Sequence, residues 1–202
     1  MILYDLAASM STRRVRIFLA EKDIKIPVKM INGLSYENYT EEFLKKNPLG
    51  KLPVLELDDG TFLSESISIC RYIELIYPNK PLFGSDKKEK AIIDMWLRRI
   101  EFEIANPIAE TFMHSSEYFK KRINQMPEYA EWAKKKVIKN MEWLNNELIN
   151  KEFIATKTYS IADIVAQCAF VLGKAVGIRI NSDLENLSLW FETVTKRETA
   201  RV

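Results

Sequence analysis

Over the first eighty or so positions, hydrophobic and polar residues follow a strand, helix, strand, hairpin, helix pattern. Ile2-Leu-Tyr-Asp5 is a short apolar run read as a strand. A turn of small residues, Ala7 to Thr12, follows, and Ser11 suits the N-cap of the helix behind it. Ser9 lies ahead of that helix start. The helix turns Val15, Ile17, Phe18, Leu19 and Ala20 inward, with Arg13, Arg14, Arg16 and Glu21 outward or at its ends. Residues 25–31 form a second strand whose Pro27 marks an edge. A helical crossover between two such strands makes the pair parallel. Residues 33–46 are polar and mixed, with one or two short helical turns around Thr40 to Lys46. Pro53-Val-Leu-Glu-Leu57 alternates as a strand, Asp58-Asp-Gly60 supplies the turn, and Thr61-Phe-Leu63 returns. Ser64 and Ser66 are both candidate caps for a helix with Ile67, Cys70, Ile73 and Ile76 at helical spacing, which Pro78 ends.

The second half is patterned differently. Pro78 to Asp86 holds two prolines and a glycine between helical patterns and is the clearest linker. Residues 88–117 form one long helical pattern that bends near Pro107, because an interior proline removes a hydrogen bond. A short segment, 118–126, precedes an amphipathic helix over 127–150. Ser160-Ile-Ala-Asp163 is a capping box with Tyr159 and Ile164 placed as a hydrophobic staple, and the helix behind it over 164–176 is apolar on nearly every face. A last helix spans 184–199. The expected architecture is α/β followed by all-α: βαβ then ββα over 1–77, a thioredoxin-like order, a linker at 78–87, and helices over 88–202.

Composition narrows the function classes. The chain has 202 residues, 47% hydrophobic and 29% charged, with a net charge of +2. That balance offers no basic face for nucleic acid or an acidic membrane. Two cysteines in apolar helical stretches, Cys70 and Cys168, fit a reducing compartment, and one histidine with no metal-ligand spacing argues against zinc. The N-terminus lacks signal-peptide character and no apolar run reaches membrane-spanning length. The expectation is a cytoplasmic protein without metal.

Two places hold chemistry beyond scaffolding. Glu65-Ser66 opens a helix, where free N–H groups and the positive dipole end attract an anion. With a carboxylate alongside, such a place holds both ends of an amino-acid zwitterion; the simpler reading is a cap and a dipole partner. The turn after the first strand is Ser9-Met-Ser-Thr12, without a Cys-x-x-Cys pair, which excludes dithiol redox chemistry there. Its hydroxyls suit a different task. A hydroxyl that donates to sulfur stabilises the thiolate of a bound thiol, and a helix N-terminus adds to the effect.

The ordered motif Asn-Pro-x-Gly-Lys-x-Pro-Val-Leu, an acidic-Gly turn, then Ser-Glu-Ser-x-x-Ile resembles the glutathione-binding half of cytosolic glutathione transferases, of the bacterial theta-, zeta- or nu-like type. The Ser-x-Ala-Asp box and Leu187-x-x-Trp190 extend the resemblance through the helical half, although Arg197-Glu198 stands where the family ends in Arg-Pro. The resemblance implies a cis Leu52-Pro53 bond, with the Leu52 backbone pairing with the cysteinyl unit of glutathione. It places Lys51, Glu65 and Ser66 on the ligand, with Glu65-Ser66 at the γ-glutamyl head, and Ser9 on the thiol, with Ser11 as the second candidate. The implied activity is conjugation of the glutathione thiolate to a small hydrophobic electrophile by a homodimer. The helix bearing Asn106, Glu110 and His114 would wall the acceptor side, with no role assigned to any of them. Asp163 would be a folding element. Two other functions share the fold: a non-catalytic adaptor similar to the stringent-starvation protein, and a zeta-like glutathione-dependent isomerase or dehalogenase.

Overall fold

A computed structural model describes residues 1–202, which divide into two compact units, Met1–Pro81 with Val202, and Leu82–Arg201.

The first unit is a four-stranded sheet with helices. Strand β1 (Ile2–Asp5) leads through a turn into α1 (Met10–Glu21), then β2 (Val28–Met30), a short α2 (Glu41–Leu44), the hairpin β3 (Val54–Glu56) and β4 (Phe62–Ser64), and α3 (Ser66–Ile76). The sheet order is β2-β1-β3-β4, with β1 parallel to β2 and antiparallel to β3, and β3 antiparallel to β4. Strand β2 is shorter than its apolar run because all three of its residues are exposed at the sheet edge, so there is little burial to extend it. Leu3, Val15, Ile17, Phe18, Leu55, Ile69 and Ile73 are fully buried and form the core that α1 and α3 make against the sheet. Lys22 closes the end of that layer. Its ammonium bonds Glu74 at 2.9 Å and the carbonyls of Asn79 and Lys80 at 2.6 and 3.1 Å.

Register decides what this unit presents at one end. Tyr4 pairs with Val54, which pairs in turn with Ser64. The exit from β1, the entry to β3 and the exit from β4 therefore lie side by side at one end of the sheet. Residues 6–11, 51–53 and 65–66 are brought together there, although 39 residues separate the first group from the second.

The second unit is helical: α4 (Lys87–Ile100), a π-helical turn (Glu101–Ala105), α5 (Asn106–Ser115), α6 (Pro127–Glu147), α7 (Ile161–Gly173) and α8 (Glu185–Lys196). The single long helix expected over 88–117 is thus two α-helices joined through a π turn. In that turn the Asn106 N–H bonds the Glu101 carbonyl, one residue wider than an α-helix. Pro107 has no N–H to give, so the carbonyls before it need other donors. Helix α6 provides them: Lys136 Nζ reaches the Phe102 carbonyl at 3.2 Å and Asn140 Nδ2 the Glu103 carbonyl at 2.9 Å. Residues 116–126 are non-helical. Gln125 donates to the Met113 and Ser116 carbonyls, and the Met126 N–H donates to His114 Nδ1 at 3.1 Å. His114 thus serves as an acceptor that ties this loop to α5.

Asp163 is the polar centre of the unit. It is fully buried and accepts from the Ile154 and Ser160 N–H groups, the Ser160 hydroxyl and Trp190 Nε1, all at 2.9–3.0 Å. Burial pushes its carboxyl above the usual range, against the opposing pull of these donors. The capping box is therefore also the tie between α7, the 151–160 loop and α8. Helix α7 is buried from Ile161 to Phe170, while Lys174–Val176 continues only as a 3-10 turn that is largely exposed.

Candidate active site

Ser9 precedes α1 with extended backbone and is its N-cap: its Oγ accepts the Thr12 N–H at 3.4 Å. The cap is therefore Ser9 and not Ser11, which lies inside the first turn. The helix begins at Met10, earlier than the apolar pattern indicates, because Thr12 is already fitted into the turn. Its buried hydroxyl donates to the Leu6 and Ser9 carbonyls at 2.8 and 3.1 Å. Since Ser9 Oγ accepts at the helix end, its own proton is free to point outward. Arg16 braces the same turn. Both Asp5 oxygens accept from its Nη1 at 2.8 Å, and the Ala7 carbonyl accepts from its Nη2 at 3.0 Å.

The second segment is rigid for reasons legible in its residues. Buried Asn47 donates to the Lys51 carbonyl at 2.8 Å and accepts the Leu49 N–H at 3.2 Å. Gly50 has φ +62°, and an added Cβ would lie 2.7 Å from the Tyr39 ring, so only glycine fits. Leu52-Pro53 is cis. Leu52 stands before the paired part of β3, which starts at Val54, so its backbone groups lie outside the sheet register. Lys51 is exposed with its carbonyl committed to Asn47.

At the third segment Glu65 occupies φ +69°, a region that L-residues rarely adopt, directly before α3. Such an outlier costs on the order of 1–3 kcal/mol, and outliers of this kind cluster at functional sites. Its side chain is exposed and does not cap the helix. Ser66 is the first helical residue and is buried, so neither Ser64 nor Ser66 is the N-cap. Its Oγ accepts from Arg14 Nη1 at 3.4 Å. Arg14 is buried, contrary to the outward position expected for it. Its place on α1, four residues after Met10 and three before Ile17, lies on the face that packs on α3. Helical spacing held that signal, and charge type hid it. Arg14, Arg16 and Asn47 are the contributors that residue patterns alone had not singled out, whereas Thr12, one of the turn's hydroxyls, is spent on bonds within the turn.

Together these segments bring to one end of the sheet a serine hydroxyl at one helix N-terminus, the Leu52 backbone ahead of the paired part of β3, and an exposed carboxylate beside a second helix N-terminus. This suits a short peptide with a free amino-acid end and a thiol. Residues 3–81 match the family model for the glutathione S-transferase N-terminal domain and residues 105–198 that for the C-terminal domain. The chain belongs to the glutathione S-transferase family. It is 31% identical over 206 aligned positions to Glutathione S-transferase 2 of Saccharomyces cerevisiae, covering 100% of this chain and 88% of that protein. The crystal structure of Gtt2 from Saccharomyces cerevisiae superposes with a TM-score of 0.94 at 30% identity, over 100% of this chain and 99% of the other. A glutathione S-transferase domain-containing protein of Marinobacter aquaeolei superposes with a TM-score of 0.93 at 30% identity, over 98% and 99% of the two chains. As in the family, the fold is a mixed four-stranded sheet with helices followed by a helical domain. No helix is long and apolar enough to cross a membrane, and no group of three or more His, Cys, Asp or Glu side chains is placed to hold a metal ion.

Proposed function

We propose that this glutathione transferase binds glutathione at the end of the sheet formed by residues 6–11, 51–53 and 65–66, ionises its thiol and adds the sulfur to a small hydrophobic electrophile. The observation that carries the reading is Glu65: an exposed carboxylate held at positive φ beside a helix N-terminus, making no cap hydrogen bond, suits the ammonium of a γ-glutamyl group. In this reading Ser66 and the α3 N-terminus take the ligand carboxylate, the Leu52 backbone before Pro53 pairs with the cysteinyl unit, and Lys51 lies along the glycyl end. Ser9 donates to the sulfur, as in theta- and zeta-like relatives, with Ser11 as the alternative donor. Catalysis is then thiolate stabilisation plus proximity, with glutathione as co-substrate and no metal.

Residues 1–77 act as the glutathione domain and 88–202 as the substrate and dimer domain, in a cytoplasmic homodimer. Met95 and Phe102, large apolar groups exposed on the 88–117 segment, support a partner there; a monomeric mass in analytical ultracentrifugation would rule the homodimer out. The test of the glutathione reading is calorimetry on the wild type and on Glu65→Ala. Binding in the micromolar to low-millimolar range, weakened about tenfold in the variant, is expected. No heat at several times that range removes the reading.

A further inference from the structure

A cavity of about 380 Å³ lies within the second unit, between the end of α7, the segment 178–180 and α8. Its size falls in the range of about 300–1,000 Å³ typical of small-molecule sites. Buried Phe170 and Ile178 and half-buried Phe191 make its apolar part, and the two phenyl rings meet edge to face with centroids 6.1 Å apart. Its polar part is unevenly charged. Lys174 and Arg179 line it and are exposed, and Lys174 Nζ rests over the Phe191 ring, 4.9 Å from its centre. A third cation, Lys134 of α6, has its Nζ 3.4 Å from where a Cβ on Gly177 would lie, one residue before Ile178. None of the three is paired with a carboxylate. The lining carboxylate, Glu192, is already held by Lys196 at 2.7 Å. The lining hydroxyls have their protons committed, Ser188 to the Asn181 carbonyl at 3.2 Å and Thr195 to the Phe191 carbonyl at 2.6 Å.

Lys174 has an ordinary use, since a cation just past the last turn of α7 complements the helix dipole. Arg179 and Lys134 have no such use: Arg179 lies outside any helix, and Lys134 is on the N-terminal half of α6. Like charges gathered without counter-ions repel one another, and beside an apolar wall their field is concentrated on the cleft. An anion that enters relieves that repulsion. We propose that this cavity is a second ligand site, and that it takes a planar aromatic carboxylate. The ring packs on Phe170 and Phe191, whose edges and faces suit a further aromatic group. The carboxylate meets Arg179, whose planar fork matches two carboxylate oxygens, while Lys174 and Lys134 add to the attraction. A neutral ligand gains only the apolar contact, because the hydroxyls have no proton to give it. None of the lining residues is among 9–11, 51–53 or 65–66, so the proposal stands apart from the glutathione reading.

The test is calorimetry with 2-naphthoate and its uncharged analogue 2-naphthamide on the wild type, Arg179→Gln and Lys174→Gln. Both side chains are exposed, so the variants should keep the wild-type melting curve in circular dichroism. The wild type should bind naphthoate at one site per chain and prefer it to naphthamide by about tenfold or more, as hydrogen bonds to a charged group imply. Arg179→Gln should lose most of that preference by weakening naphthoate while leaving naphthamide nearly unchanged, and Lys174→Gln should act in the same direction by less. Octanoate, with the same charge and no ring, should bind more weakly than naphthoate, and saturating glutathione should not displace naphthoate. No heat with naphthoate at millimolar concentration overturns the proposal. So does equal affinity for naphthoate and naphthamide, or a naphthoate affinity unchanged in Arg179→Gln. Octanoate bound as tightly as naphthoate overturns the aromatic assignment, and displacement of naphthoate by glutathione assigns the acid to the glutathione residues instead.

Discussion

Replacing Ser9 by alanine separates its two tasks. As the cap of α1 it receives one long hydrogen bond of 3.4 Å, so its removal should cost about 0.5–1 kcal/mol of stability, the low side of the range for caps. As donor to a thiolate it supplies a hydrogen bond to a charged group, worth about 1.5–3 kcal/mol. At about 1.4 kcal/mol per unit, that raises the pKa of the bound thiol by roughly one to two units in Ser9→Ala. Below both pKa values each unit lowers the thiolate fraction about tenfold, while the more basic thiolate gains about threefold in nucleophilicity, since nucleophilicity follows pKa with a slope of about 0.4–0.5. The net loss of rate in that pH range is then about three- to fifteenfold, and it shrinks as the pH rises through the wild-type pKa. At high pH, where both thiols are ionised, the variant should become the faster enzyme. The assay is the pH profile of kcat/KM for glutathione with an aryl halide acceptor, alongside direct titration of thiolate absorbance in the binary complex. The crossover is the diagnostic feature, because a folding defect would lower the rate at every pH. An unchanged thiol pKa in Ser9→Ala with a raised one in Ser11→Ala transfers the role to Ser11. Unchanged values in both variants refute hydroxyl activation and leave the helix end as the source of ionisation.

Asp163→Ala should destabilise the protein by about 3–5 kcal/mol in chemical denaturation, because it strands the Ile154 and Ser160 N–H groups and Trp190 Nε1 without an acceptor; Asp163→Asn, which keeps one oxygen, should cost less, and a loss under about 1 kcal/mol in both contradicts the account. Tyr4 gives an alkaline prediction: burial first, and then its 2.5 Å hydrogen bond to Glu56, push its phenol from 10.0 up to about 12. The folded state therefore holds this proton longer than the unfolded chain does, so its stabilising effect is full below pH 10 and is lost as the pH rises towards about 12. Urea titrations on either side of pH 10 should show a fall in stability that Tyr4→Phe reduces, and an identical fall in that variant argues against the assignment.

Arg14 and Glu65 both depart from what their local sequence predicts. One is a cation buried near helix N-termini and the other a non-glycine residue at positive φ. The surrounding structure supplies the constraint. Asn47 and Gly50 fix the 47–53 loop, and Arg16 with Asp5 fixes the turn at Ser9.

By itself the sequence determined the element order, the fold class and the identity of the capping box. These are local properties: apolar spacing, prolines at element ends, and side chains that bond within three residues. It also held the segments 9–11, 51–53 and 65–66 as separate candidates, joined only through resemblance to a family. What brought them to one end of the sheet was the strand register, Tyr4 to Val54 to Ser64, a long-range pairing with no local signature. The π turn before Pro107 was decided likewise by distant partners, since Lys136 and Asn140 lie more than thirty residues away along the chain and satisfy the carbonyls it leaves open. Arg14 is the sharpest case. Residue type assigns it to solvent, and only the packing of α1 on α3 turns it inward onto Ser66, because burial is settled by what a helix face meets and not by the polarity of one residue.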